Sequence, residues 1–135
     1  IDYFNIFCRG KITKIKNFYT LNKKKSNIKT SQIEFSSGDL GQYNCVWNMP
    51  GPWAVYVTTQ AKRYEIKPLE SLKYQKRESR YLINLDLKYK KDLGCKPGLV
   101  NQTRQMYFFL KKKKNNLVKL REAYKTMKII DRIYK

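Results

Sequence analysis

The sequence predicts an α+β fold: an open-faced, predominantly antiparallel β-sheet with helices packed on one face, in a single domain spanning 1–135. Three observations predict it. Between residues 12 and 66 the chain alternates apolar and polar side chains in short runs joined by short turn-like connections, the pattern of consecutive antiparallel strands. From Leu99 the apolar spacing changes from a period of two to a helical one. At 135 residues, 41% hydrophobic and 14% aromatic, the chain has the means for one packed core.

In order, Ile12–Leu21 is rich in β-branched and aromatic residues and predicts the first strand. Lys23-Lys24-Lys25-Ser26-Asn27 is a polar loop, and Ile28–Phe35 the second strand. Ser36-Ser37-Gly38-Asp39 signals a turn, and Gln42–Asn48 has the clearest alternation. Tyr43, Cys45 and Trp47 share one side, and Gln42, Asn44, Val46 and Asn48 the other. Met49-Pro50-Gly51-Pro52 forces a reversal, because proline cannot donate to a ladder. Trp53–Thr59 and Lys62–Ile66 follow as strands, and Pro68 ends the second. The stretch Glu70–Leu93 is charged and mixed, with a strand at Leu72–Gln75. Pro97-Gly98 precedes a helix whose apolar positions are Leu99, Thr103, Met106, Phe109 and Leu110. A last helix starts near Leu120, with Leu120, Ala123, Tyr124, Met127, Ile130 and Tyr134 on one stripe.

The charge is extreme. Thirty Lys and Arg against ten Asp and Glu give +20, which draws any polyanion by counterion release. The lysines are spread along the chain, and Lys outnumbers Arg 23 to 7 beside 10 Asn and 11 Ile. These residues have A- and T-rich codons, so composition accounts for the charge ahead of a dedicated nucleic-acid site. The Lys111–Lys114 run falls at a predicted helix C-terminus, where cations complement the dipole.

Histidine is absent, which removes the commonest general base and the Ser-His and Cys-His nucleophile pairs. Cys8, Cys45 and Cys95 are too few and too far apart for a zinc ribbon, and their odd number favours a reducing compartment. No acidic pair has metal-ligand spacing. No apolar run reaches the roughly 20 residues of a membrane span, and Asp2 and Arg9 interrupt any signal-like start; a cytoplasmic location is expected. With few helices to cover the strands, one sheet face is expected to stay open, lined by Asn44, Val46, Asn48, Ala54 and Tyr56, and an open apolar face is an interface.

The runs Gly41-Gln42-Tyr43-Asn44-Cys45-Val46-Trp47-Asn48, Gly51-Pro52-Trp53 and Tyr64-Glu65-Ile66-Lys67-Pro68-Leu69-Glu70, then Lys96-Pro97-Gly98-Leu99-Val100-Asn101-Gln102 and Leu120–Met127 through Ile133-Tyr134, resemble in order the C-terminal domain of Gfo/Idh/MocA-type dehydrogenases. The resemblance implies the C-terminal, substrate-contacting and oligomerisation part of an NAD(P)-dependent dehydrogenase for sugars or polyol derivatives. It departs from the family in two ways. No G-x-G-x-x-G motif occurs, so the Rossmann half that holds NAD or NADP in that family is missing and this chain alone is expected to bind no cofactor. The family's catalytic histidine would fall just before Ile1, with Asp2 as the acidic residue that follows it. No catalytic residue and no metal ligand is therefore assigned, and the chain alone is expected to be inactive, as a truncated or split-gene product.

The candidate substrate contacts are Asp2, Trp47 and Asn48, and the candidate oligomer interface is Asn44, Val46, Ala54 and Tyr56. The expected partners are further copies of the chain across the open face and a separate Rossmann half. No membrane is expected, and nucleic acid only non-specifically. The alternative is a basic nucleic-acid or polyanion-binding domain, with exposed tyrosines as a stacking platform.

Overall fold

The computed structural model describes residues 1–18, 27–51, 53–87 and 94–135. Positions 19–21 of the first predicted strand, 23–26 of the lysine loop, Pro52 of the reversal and 88–93 of the charged stretch lie outside them. The fold is α+β, with every strand pair antiparallel. The predicted meander is divided into two sheets, in two compact units. The first unit comprises Ile1–Gly51 and Leu120–Lys135, and the second Pro52–Lys119. The break falls at the proline-rich reversal, where the backbone has too few donors to continue a ladder.

The first unit opens with a short helix, α1 (Tyr3–Phe7), whose five residues are too few for a helical period to show in the sequence. Three strands follow, β1 (Ile12–Phe18), β2 (Ile28–Phe35) and β3 (Leu40–Val46), in the order β1-β2-β3. Strand β1 carries its apolar residues three apart, a spacing that a regular strand would place on opposite faces. The register shifts between Ile12 and Lys14, so that Ile12 opposes Phe35 and Ile15 opposes Ile33. The extra residue brings both isoleucines to the inner face, and the Thr13 hydroxyl donates to the Glu34 carbonyl at 3.0 Å. Along β3 the alternation is as expected: Tyr43 and Cys45 are half-buried, while Gln42, Asn44 and Val46 are exposed.

The last helix, α3 (Leu120–Tyr134), closes the inner face. Ile33, Phe35, Ile129 and Ile133 are the core, with Ile1, Phe4, Cys8, Ile12, Ile15, Tyr43 and Tyr134 packed around it. The helix does not bury the stripe its apolar residues suggest. Thr126, Ile129 and Ile133 face the sheet with Ile130 at the edge, whereas Leu120, Tyr124 and Met127 are exposed. Thr126 can sit inside because its hydroxyl is satisfied. It donates to the Asp2 carboxylate and accepts from Asn5 Nδ2 at 3.0 Å. Ser31, also buried, donates to Asn17 Oδ1 at 2.8 Å, and Asn17 Nδ2 donates to the Arg132 carbonyl at 2.9 Å. Among the described residues no buried side-chain nitrogen or oxygen lacks a partner.

The second unit is a four-stranded meander, β4 (Val55–Thr58), β5 (Lys62–Ile66), β6 (Leu72–Lys76) and β7 (Ile83–Leu85), in that order across the sheet. β7 was hidden in the charged stretch. The register gives this sheet one apolar face, with Val55 opposite Ile66, Ile66 opposite Leu72 and Leu72 opposite Leu85. Helix α2 (Leu99–Leu110) follows Gly98, whose φ of 86° is the left-handed region glycine tolerates. It ends in a Schellman turn: Lys113 N–H donates to the Phe108 carbonyl at 2.8 Å and Lys112 N–H to Phe109 at 2.9 Å, with Lys112 at φ 53°.

Candidate functional site

In the first unit α1 and α3 lie on the same side of the sheet, since Phe4 and Ile133 both pack against the inner-face core. The other face of β1–β2–β3 carries Phe18 opposite Thr30, Thr30 opposite Asn44, Gln32 opposite Gln42, and Ile28 opposite Val46. Phe18, Ile28 and Val46 are all exposed, and Val46 and Asn44 are two of the residues expected at an interface. At the opposite end of this face Lys16 Nζ meets Glu34 Oε1 at 2.8 Å, and that contact holds the Glu34 carboxyl below its ordinary value.

The other two expected interface residues do not join them. Ala54 precedes β4 and Tyr56 lies within it, so both belong to the second unit and only Tyr56 to its four-stranded sheet. There Tyr56 is exposed on the polar face, opposite Glu65 and with the Arg63 guanidinium 6.0 Å from its ring centre. Of the five residues expected on one open face, Asn44 and Val46 lie on β3, Asn48 in the turn after it, Ala54 just before β4 and Tyr56 on β4. The sequence pattern treats a meander as continuous; the reversal at 49–52 interrupts it.

The candidate substrate contacts are also placed apart. Asp2 is engaged by the Thr126 hydroxyl, a tie between α1 and α3. Trp47 packs edge-on against Tyr134, with centroids 6.2 Å apart at 68°, and remains half exposed. Thr126 and Tyr134 are separated by two turns of α3, about 12 Å along its axis. Asn48 is an exposed turn residue at φ 59°, a conformation asparagine adopts more readily than other non-glycine residues. Asp2 and Trp47 thus meet α3 at two points along its length, and Asn48 stands in the turn after β3.

Around Trp47 the aromatic cluster extends to Tyr43, whose hydroxyl lies 2.8 Å from that of Tyr134. Burial, and then the Tyr134 hydroxyl, push the Tyr43 hydroxyl well above the ordinary tyrosine value, so it is a hydrogen-bonding group and not a proton acceptor near neutral pH. The Cys8 thiol is likewise pushed up, first by burial and then by Asp39, which disfavours the reactive thiolate. Among the described residues no group of three or more His, Cys, Asp or Glu is placed to hold a metal.

The most polarised group is Asp39. Its carboxylate accepts Arg9 Nη2 at 2.7 Å, Arg9 Nε at 3.1 Å and the Arg9 backbone N–H at 2.8 Å, which holds it far below the usual carboxylate range. A depressed folded value means that the contribution is present above the unfolded value of about 3.9 and is lost as the pH falls below it. Urea unfolding of wild type and Asp39→Asn should therefore differ at pH 6, with the difference shrinking progressively as the pH is lowered from about 4 toward the depressed folded value. A difference independent of pH would show that the carboxylate's charge is not what fixes the α1–β1 corner.

In the second unit the apolar surface is on α2, which buries no residue. A shallow groove of about 400 Å³ runs along Leu99, Val100, Thr103 and Tyr107. A second, polar concavity of about 260 Å³ is bordered by Lys62, Arg63, Lys76 and Arg77. The described strand pairs are all antiparallel, and among the described residues no parallel strand–helix–strand crossover occurs. No family model, no curated protein and no solved structure matches this chain.

Proposed function

We propose that this chain is an oligomerisation and substrate-contact module of the kind that completes a Gfo/Idh/MocA-type NAD(P)-dependent dehydrogenase for sugars or polyol derivatives, and that it transfers no hydride by itself. The observation that carries the association part is the open outer face of β1–β2–β3, where Phe18, Ile28 and Val46 stand exposed beside Thr30, Asn44, Gln32 and Gln42 while both helices of the unit occupy the other side. An apolar patch rimmed by amides is a surface that another sheet can cover, because amide side chains pair with one another and need no counter-charge. The dehydrogenase assignment rests on the order of the sequence segments from Gly41 to Tyr134.

Sedimentation analysis tests the association. The protein should sediment as a dimer or larger, and Val46→Glu, exposed and therefore tolerated by the fold, should shift it toward the monomer by at least tenfold in dissociation constant. A monomeric wild type, or a Val46→Glu variant that associates equally well, would remove the sheet face from the proposal. NAD(P)H turnover by the isolated chain with sugar or polyol substrates would overturn the claim that it is inactive alone.

A further inference from the structure

We propose that α2 is a membrane-surface helix, with its exposed apolar side lying in the interfacial layer of an anionic bilayer and the lysines that follow it on the headgroups. The outward face is largely apolar, with Gln102 and Thr103 as the polar residues within it. Leu99 is 49% exposed, Met106 52%, Phe109 57% and Leu110 70%. At about 100° per residue these four and Tyr107 fall within roughly half of the helix circumference.

The chain that follows the helix turns back along its other side. After the Schellman turn the chain doubles back, and Gln105 Oε1 accepts the Asn116 backbone N–H at 2.8 Å. Gln105 and Phe108, on the opposite side, are half-buried. The returning segment thus occupies the polar flank, and the Leu99–Met106–Leu110 line is left uncovered.

Charge selects the occupant. Residues 94–119 contain Lys96, Arg104, Lys111–Lys114 and Lys119 and no acid. A second copy docking through this surface would set cation against cation. A nucleic acid would match the charge but leave Leu99, Met106 and Leu110 in water. An anionic bilayer takes both, since it offers a negative surface and an apolar layer beneath it. Twelve residues make a helix about 18 Å long, short of the roughly 30 Å hydrocarbon core, so the helix lies along the surface. The expectation of no membrane partner rested on the want of a spanning segment, and among the described residues no helix is long and apolar enough to cross a membrane. An interfacial helix needs none.

The test is co-sedimentation of the full chain with phosphatidylcholine vesicles, alone or with one part phosphatidylserine to two parts phosphatidylcholine. Binding is expected only to the anionic vesicles. Replacing Lys111–Lys114 together by Gln should lower the partition coefficient by about a hundredfold. The double variant Met106→Gln with Leu110→Gln leaves the charge unchanged and both positions exposed, and should lower it by about tenfold or more. Equal binding to neutral vesicles, no binding to either, or a double variant that binds like wild type would overturn the proposal. It would equally be overturned if a short RNA duplex were bound more tightly than the anionic vesicles and the double variant lost that binding.

Discussion

Ile133→Ala should lower the stability of the first unit by about 3 kcal/mol, within the 2–5 kcal/mol usual for emptying a filled core site. Ile133 is fully buried and meets Ile33, also fully buried, across the interface between α3 and the sheet. The loss has two sources, the transfer free energy of the deleted methyl groups and the cavity that β2 and α3 cannot collapse to fill. The decisive control lies one turn and a half away on the same helix. Met127 is 59% exposed, and Met127→Ala should change stability by no more than about 0.5 kcal/mol. Urea unfolding followed by circular dichroism separates the two. Equal losses at Ile133 and Met127 would mean that α3 presents a different side to the sheet.

Gly41→Ala should destabilise by about 1–3 kcal/mol although it adds a single methyl group. Gly41 is buried in β3 with ordinary strand geometry, so backbone freedom is not why glycine is needed. The reason is space: a Cβ at this position would lie 2.7 Å from Phe4 Cε1 and 2.8 Å from Cδ1. The Phe4 ring is itself packed against the core, so it cannot swing away without opening a void. A double-mutant cycle with Phe4→Leu isolates the effect. The smaller side chain should return at least half of the Gly41→Ala loss, because the clash and the relief share one contact. Strict additivity of the two substitutions would refute the steric account. Gly10 makes a contrast: with φ at 77° and Ser36 Oγ 2.5 Å from where a Cβ would stand, no partner substitution should rescue an alanine there.

The strands that alternate cleanly were legible in the sequence. β2, β3 and β5 fall within a residue or two of their predicted positions, because a period of two with one face buried leaves little choice of register. What was not legible depended on contacts distant in sequence. The buried side of α3 could not be chosen by hydrophobicity, since Met127 and Tyr124 are more apolar than Thr126. The choice was made by Asp2 and Asn5, which satisfy the Thr126 hydroxyl from 124 and 121 positions away. The bulge at Thr13 is silent in the sequence until Ile12 and Ile15 are required on one face. The division into two sheets was signalled by Pro50 and Pro52, which the sequence analysis took as a turn within one sheet. For Asp2 and Trp47 the sequence offered side-chain chemistry but no distances, because both positions are set by contacts with α3, at Thr126 and Tyr134.

The first unit is discontinuous along the chain, since Pro52–Lys119 intervenes between its sheet and the helix that seals it. During synthesis β1, β2 and β3 emerge early with Ile33, Phe35 and Ile15 on a bare face, and wait for the whole of the second unit before α3 arrives. Closing a gap of that length costs about 4 kcal/mol of chain entropy, against roughly 1 kcal/mol less for a gap a third as long. The nascent chain therefore carries a sticky half-core while the intervening residues are made, at a rate of about 5–20 residues per second a matter of several seconds. Exposed apolar surface of that kind is prone to aggregation, so a factor that shields Ile33 and Phe35 until α3 arrives should raise the yield of folded protein.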